Sequence, residues 1–127
     1  LTLADYFTPN QKEAMRITGE HTPQAAAKAL SRYIESPIVK LDKDGCLLME
    51  NGRARIIPPL RDIQIVDPTG AGDAFLAGLT YGLFHHAPLE TAVRYGNVTG
   101  GVCVTGIGCL TNYVTEEELL AMAKLLD

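Results

Sequence analysis

The chain has only three cysteines, Cys46, Cys103 and Cys109, and no C-x-x-C pair. An odd count without paired spacing argues against a disulfide framework or a zinc site, and it fits a reducing cytoplasm. All three read as small core hydrophobes. No apolar run approaches the ~20 residues that cross a bilayer. No charged segment followed by an apolar stretch marks a signal peptide. No basic stripe is present either: 11 Lys and Arg stand against 15 Asp and Glu, for a net charge of −4. Nucleic acid and anionic membrane are therefore poor partners. Two common nucleotide signatures are missing. There is no G-x-x-x-x-G-K-[ST] loop, and Phe75 stands where G-x-G-x-x-G would need its last glycine after Gly70 and Gly72. No repeat or low-complexity tract occurs, and the first residue is Leu1 rather than Met.

What remains is an ordinary globular composition. The chain has 127 residues, 46% of them hydrophobic and 20% charged, which suits one small domain. Residues 3–8 read as a short strand that Pro9-Asn10 breaks. A helix is expected from Gln11 to Thr18, closed by Gly19. Thr22-Pro23 opens a second helix, continued by the Ala-rich segment to Ile34 and ended by Ser36-Pro37. Ile38 to Leu41, Cys46 to Met49 and Arg53 to Ile57 read as strands, with turns at Lys43-Asp44-Gly45 and Asn51-Gly52. Ile63 to Val66 reads as a strand end. Helices follow from Ala71 or Gly72 to about His85, and from Leu89 to Val104, the latter weakened by Gly100-Gly101. Small residues Ala74, Ala77, Gly78 and Gly82 predict close packing against a sheet. Thr115-Glu116-Glu117-Glu118 is a capping box that opens a last helix, ending near Leu126. The order predicts an α/β fold with a β-hairpin between two helical regions.

The run Val66-Asp67-Pro68-Thr69-Gly70-Ala71-Gly72-Asp73-Ala74-Phe75 is the most informative stretch. A strand, a tight glycine turn and a helix start form a cradle for an anion. Unpaired N–H groups at the helix start point at the bound charge, and the helix dipole favours it. An aspartate repels phosphate, so Asp73 points to chemistry at the phosphate rather than its storage. A base that takes a proton from an attacking hydroxyl belongs in that position.

This string resembles the second signature of the ribokinase-like (PfkB) carbohydrate kinase family. The likeness continues along nearly the whole chain. Asn10-Gln11-Lys12-Glu13 resembles the family's N-x-x-E motif, and Lys40-Leu41-Asp42-Lys43-Asp44-Gly45 its T-L-G-x-x-G segment. Asn97 and the stretch 104–112 resemble segments around the adenine and a monovalent cation. The resemblance implies the C-terminal part of a three-layer α/β/α fold, with a β-hairpin and at least four helices. It implies ATP-dependent phosphorylation of a sugar or sugar-acid hydroxyl, with ATP, Mg²⁺ and K⁺. Asp73 would be the base, and the amides of Gly70, Ala71, Gly72 and Asp73 the anion hole. Asn10, Lys40, Asp42, Gly45 and Asn97 would lie at the nucleotide, and Glu13 would organise magnesium indirectly. Asp67, Thr69, Cys103, Gly106, Gly108 and Asn112 would surround the monovalent cation. Lys40 and Asp42 depart from the family's threonine and glycine, which leaves nucleotide contact there open.

Each residue also has a plainer role. Asp73 suits a first-turn acid that complements the helix dipole. Asp67 and Thr69 suit a turn held by side-chain bonds to backbone. Asn10 suits a helix N-cap and Glu13 its capping-box partner. Lys40 suits a solvated strand end and Asn97 a surface helix position. His21, His85 and His86 carry no signal.

Family members are longer, and their N-terminal portion carries most of the central sheet, the sugar-binding motif and a lid. None has a counterpart here, so residues 1–127 are expected to be the C-terminal nucleotide and anion-hole segment. A sheet cut there exposes an edge, which favours a homo-oligomer or association with the missing part. The segment alone is expected to be weak or inactive, because acceptor positioning carries much of the rate. A nucleoside or vitamin-type alcohol kinase of the same fold, or a non-catalytic nucleotide-binding or oligomerising module, is the alternative.

Overall fold

Two capped helices and a three-stranded sheet make up the first of two compact units, residues 1–57; the second spans 58–127. The computed structural model describes residues 8–60, 70–103 and 116–124. Helix α1 (Gln11–Thr18) begins with a complete capping box: Glu13 N–H donates to Asn10 Oδ1 and Asn10 N–H to Glu13 Oε1. Gly19 ends it in the left-handed conformation, its N–H donating to the Met15 carbonyl. Helix α2 (Pro23–Leu30) starts at Thr22, whose Oγ1 accepts from Ala25 N–H. It stops four residues short of the expected Ile34. Ser31 to Tyr33 continue as turns, with Arg32 and Tyr33 N–H bonded three residues back, before the chain enters the strand.

Strands β1 (Ile38–Lys40), β2 (Cys46–Glu50) and β3 (Arg53–Ile57) form an antiparallel sheet in the order β1-β2-β3. Asn51 and Gly52, at φ 53° and 78°, supply the two positive values that a tight hairpin turn needs. Val39, Leu41, Leu47 and Met49 share one face and pack with Ala14, Ala26, Ala27 and Leu30 of the helices. Ile38, Cys46, Leu48 and Ile57 alternate onto the other face and are buried as well. Alternation alone therefore does not mark a solvent side on β1 and β2, which read as continuous apolar runs.

The second unit is a helix assembly. Helix α3 (Ala71–Phe84) ends at His85, with His86 at φ 59° and Pro88 beyond. Helix α4 (Leu89–Cys103) returns against α3, and α5 (Glu116–Lys124) packs on α4. Val98, Leu119 and Ala123 form its buried core, joined by Leu60, Tyr81, Tyr95 and Val102. The expected end of the last helix near Leu126 lies outside the described residues, as do the expected strand at 63–66 and all but Thr8 of the one expected at 3–8.

Two of the small residues of α3, Gly78 and Gly82, meet α4, whereas Ala77 is exposed. A Cβ on Gly78 would collide with the Tyr95 carbonyl and Thr99 Oγ1, and one on Gly82 would lie 2.6 Å from Ala92 Cα. Gly96 of α4 makes room for the Phe75 ring in the same way. Gly100, expected to weaken α4, stands inside an unbroken helix and lets it pass the Ala71 carbonyl. Glycine's cost in a helix, about 1 kcal/mol against alanine, is offset here by the closeness of the two backbones. Gly78→Ala is accordingly expected to lower stability by about 1–3 kcal/mol despite its better helix propensity. Urea unfolding measures this, and an unchanged or raised midpoint would contradict the packing account.

Tyr81 joins α3 to α5 by donating to Glu116 Oε1 at 2.7 Å, and its ring lies edge-on to Tyr95. The hydrogen bond to Glu116, then desolvation and the nearby Glu116 charge, push the phenol up to about 12 from an ordinary 10.0. The folded protein thus holds this proton more tightly than the unfolded chain. The contribution is complete below about pH 10 and is lost as pH rises towards 12. A Tyr81→Phe variant is expected to show a shallower loss of stability across that window, read as the pH dependence of the unfolding midpoint.

Candidate functional site

The first turn of α3 carries the central candidate residues. Gly70 is the N-cap residue, at φ 81° and ψ 0°, a conformation that costs a residue with a Cβ about 1 kcal/mol or more. Its carbonyl accepts the first helical bond, from Ala74 N–H at 2.9 Å. The N–H groups of Ala71, Gly72 and Asp73 precede any intrahelical acceptor, and no side chain caps this helix start. Asn10 and Thr22 fill that role at α1 and α2, so the bare start of α3 differs from both. Asp73 is exposed in the same turn, beside its own helix N-terminus. Three amide donors and one carboxylate therefore share a single turn, where the helix dipole adds to their pull on an anion.

Helix α4 supports this turn. Thr99 Oγ1 donates to the Ala74 carbonyl across the helix pair. Gly100 faces the Ala71 carbonyl and Phe75. Asn97 is buried at 9% exposure rather than lying at the surface, and its Nδ2 donates to the Pro58 carbonyl at 2.8 Å. Neither Thr99 nor Gly100 was marked by the sequence reading. The signal that finds them is small-residue spacing: Gly96 and Gly100 on α4 recur four apart, as do Gly78 and Gly82 on α3.

In the first unit two motifs thirty residues apart in sequence are neighbours. Asn10 forms a parallel bridge with Lys40, and Lys40 N–H donates to the Pro9 carbonyl at 2.9 Å. Gln11 Nε2 donates to Asp42 Oδ2 at 2.9 Å. The structure thus brings Asn10, Glu13, Lys40 and Asp42 to one end of the sheet. The capping roles of Asn10 and Glu13 are realised, and Glu13 is exposed. Asp42 lies at φ 58°, which accounts for a departure from glycine that only a short polar side chain tolerates well. Gly45 follows at φ 89° and ψ −134°, a region reserved to glycine. Burial pushes the Cys46 thiol up to about 12, with the Lys40 charge pulling the other way, so Cys46 stays a protonated core residue.

Asp67, Thr69, Gly106, Gly108 and Asn112 lie outside the described residues, and Cys103 is the final residue of α4. Among the described residues no group of three or more His, Cys, Asp or Glu could hold a metal ion. A cavity of about 440 Å³ lies on the hairpin, lined by Glu50, Asn51, Arg53 and Arg55, and contains none of the candidate residues. The candidate site is placed instead at α3, where three amide donors without a side-chain cap share a turn with a carboxylate. No helix of the described residues is long and apolar enough to cross a membrane.

A glycine turn, a bare helix start and an adjoining acid thus come together at the start of α3. The sequence profile of the pfkB family carbohydrate kinases matches residues 1–116, and the chain belongs to that family. It is 32% identical over 126 residues to the ribokinase of Haemophilus influenzae, which covers 94% of this chain and 41% of that protein. The crystal structure of ribokinase from Thermotoga maritima superposes with a TM-score of 0.83 at 32% identity, over 94% of this chain and 42% of that one. A Burkholderia thailandensis nucleoside kinase in complex with inosine gives a TM-score of 0.84 at 27% identity, over 98% of this chain and 40% of that one. The fold is thus that of ribokinase-like kinases, and the chain spans about two fifths of the length of the curated relatives first matched.

Asp42→Val is expected to destabilise the protein by about 1–3 kcal/mol, since a β-branched side chain resists φ 58°. Asp42→Gly is expected to be close to neutral, because relief of that conformation offsets the hydrogen bond lost to Gln11. Equal effects of the two variants on the urea midpoint would contradict this account.

Proposed function

We propose that residues 1–127 are the nucleotide and anion-hole segment of a kinase that moves the γ-phosphoryl group of ATP to a sugar or sugar-acid hydroxyl. The observation that carries the proposal is the first turn of α3, where Ala71, Gly72 and Asp73 offer uncapped amides beside the Asp73 carboxylate. Asp73 takes the proton of the acceptor hydroxyl as its oxygen attacks phosphorus. The amides of Gly70, Ala71, Gly72 and Asp73 steady the charge on the transferred group, and ADP departs. Lys40, Asp42 and Gly45 border the nucleotide from the turn between β1 and β2, with Asn10 and Glu13 beside them. Asn97 fixes the Pro58 carbonyl at its side of the site. Magnesium, when bound, neutralises phosphate charge. Asp67, Thr69, Cys103, Gly106, Gly108 and Asn112 hold potassium, a role supported by the fructokinase from Vibrio cholerae, which carries fructose, ADP and a potassium ion.

The 127-residue chain by itself is weak or inactive, since the groups that orient an acceptor are not among the residues assigned here. A nucleoside acceptor is the second reading, supported by 38% identity over 90 residues with the cytidine kinase of Thermococcus kodakarensis. That protein shares 69% of this chain and 32% of its own length. A cytoplasmic setting is supported by the odd cysteine count without a C-x-x-C pair.

Asp73→Asn in the whole kinase is expected to lower turnover by about 10²- to 10⁴-fold while leaving ATP affinity within a small factor. Steady-state kinetics with calorimetric ATP titration checks both quantities. Near-normal turnover by the Asn variant would remove Asp73 from the role of base.

A further inference from the structure

Glycine contacts bring α3 and α4 close together, but dispersion has no direction. Surfaces that lack side chains also lack ridges, so they resist sliding along the helix axis only weakly. A hydrogen bond is directional and fixes such a register. Thr99 of α4 supplies one at the start of α3, where its Oγ1 donates to the Ala74 carbonyl. Roughly two turns further along α3, Tyr81 donates to Glu116 of α5.

The Thr99 hydroxyl has a single proton and several carbonyls in reach. Ala74 lies across the helix pair, while Tyr95 at 3.1 Å and Gly96 at 3.2 Å belong to its own helix. A helical threonine ordinarily bonds back to such local carbonyls, yet here Ala74 is the nearest acceptor. Gly78 makes this possible. A helical carbonyl points at the residue four ahead, and for Ala74 that residue is Gly78. A Cβ there would lie 2.4 Å from Thr99 Oγ1, so the bare position opens the Ala74 carbonyl to a donor from α4. The carbonyl so held belongs to the residue directly after Asp73. Ala74 N–H in turn donates to the Gly70 carbonyl at 2.9 Å. Ala74 thus links the Thr99 hydroxyl to the left-handed Gly70 and to the turn that carries Asp73.

We propose that Thr99 is a positioning residue, whose hydroxyl sets the register of α3 on α4 and so places Asp73 and the first-turn amides for the reaction. The consequence for rate rests on the kinase reading given above; the register itself does not. Without the hydroxyl the start of α3 shifts along α4, and a displacement near 1 Å costs on the order of 10²-fold in rate.

Thr99→Ala removes the hydroxyl and Thr99→Ser keeps it, while both lose the methyl group, so their comparison isolates the hydrogen bond. In nuclear magnetic resonance of the ¹⁵N-labelled chain, Thr99→Ala is expected to speed hydrogen exchange at Ala74 N–H about tenfold and to shift the amides of Gly72 and Asp73. Thr99→Ser is expected to leave both near the parent values. In the whole kinase, Thr99→Ala is expected to lower kcat about 10- to 100-fold with the KM for ATP within about twofold, and Thr99→Ser to keep kcat within about threefold of the parent. Asp73→Asn, measured alongside, separates the two ways of failing. Equal exchange at Ala74 N–H in the Ser and Ala variants overturns the register. Parent-like kcat in Thr99→Ala beside a loss in Asp73→Asn overturns the positioning role, as does a loss that falls on KM rather than kcat. Near-normal turnover in Asp73→Asn sinks the kinase reading instead, and the exchange comparison then decides on Thr99.

Discussion

The close contact between α3 and α4 is the constraint on which the second unit rests. Gly78 and Gly82 bring the α3 backbone against Tyr95, Thr99 and Ala92, and Gly96 admits the Phe75 ring. Dispersion between two backbones at this distance is available only where side chains are missing. The same contact settles the candidate site. Thr99 holds the Ala74 carbonyl and Gly100 passes the Ala71 carbonyl, so the first turn of α3 is fixed by α4 rather than by a cap of its own. Its first amides carry no side-chain cap. In a helix without such support, an uncapped start would fray, and donors that move cannot act as preorganised charge.

The first unit solves a different problem with ordinary means. Its helix starts are capped by Asn10 with Glu13 and by Thr22, and its sheet is sealed on both faces over β1 and β2. The bridge from Asn10 to Lys40 and the bond from Gln11 to Asp42 join the start of α1 to the turn after β1. Capping and function compete for no atom here. The capping box uses one Glu13 oxygen and leaves the residue exposed. A residue can therefore hold a helix end and still face a ligand, so the plain and the functional roles of Asn10 and Glu13 are compatible.

The pfkB family likeness and these local geometries support one another from different directions. The family string predicts an anion cradle at Gly70–Asp73, and the coordinates give a left-handed Gly70 with an uncapped helix behind it. Asp42, in the segment that resembles the family's T-L-G-x-x-G, lies at a positive φ. Only short polar residues bear that conformation at modest cost. Asp42 is further tied down by Gln11, whose Nε2 donates to its Oδ2.

Local signals settled the elements. Asn10, Thr22, Gly19 and Asn51-Gly52 each act within a few residues, so the starts of α1 and α2, the end of α1 and the hairpin were legible in the sequence. The glycine turn before Asp73 was legible for the same reason. Errors fell where distant chain decides. The second helix stops at Leu30 because the following residues turn into β1, and Gly100 is no weak point because α4 needs it bare against Ala71. Asn97 is buried, with its Nδ2 donating to the Pro58 carbonyl, a partner distant in sequence. Sequence determined which residues begin and end each element and which of them carry charge at a helix start. Tertiary structure alone decided which face of α3 meets α4, because close approach there depends on which residues of α4 lie opposite Gly78 and Gly82.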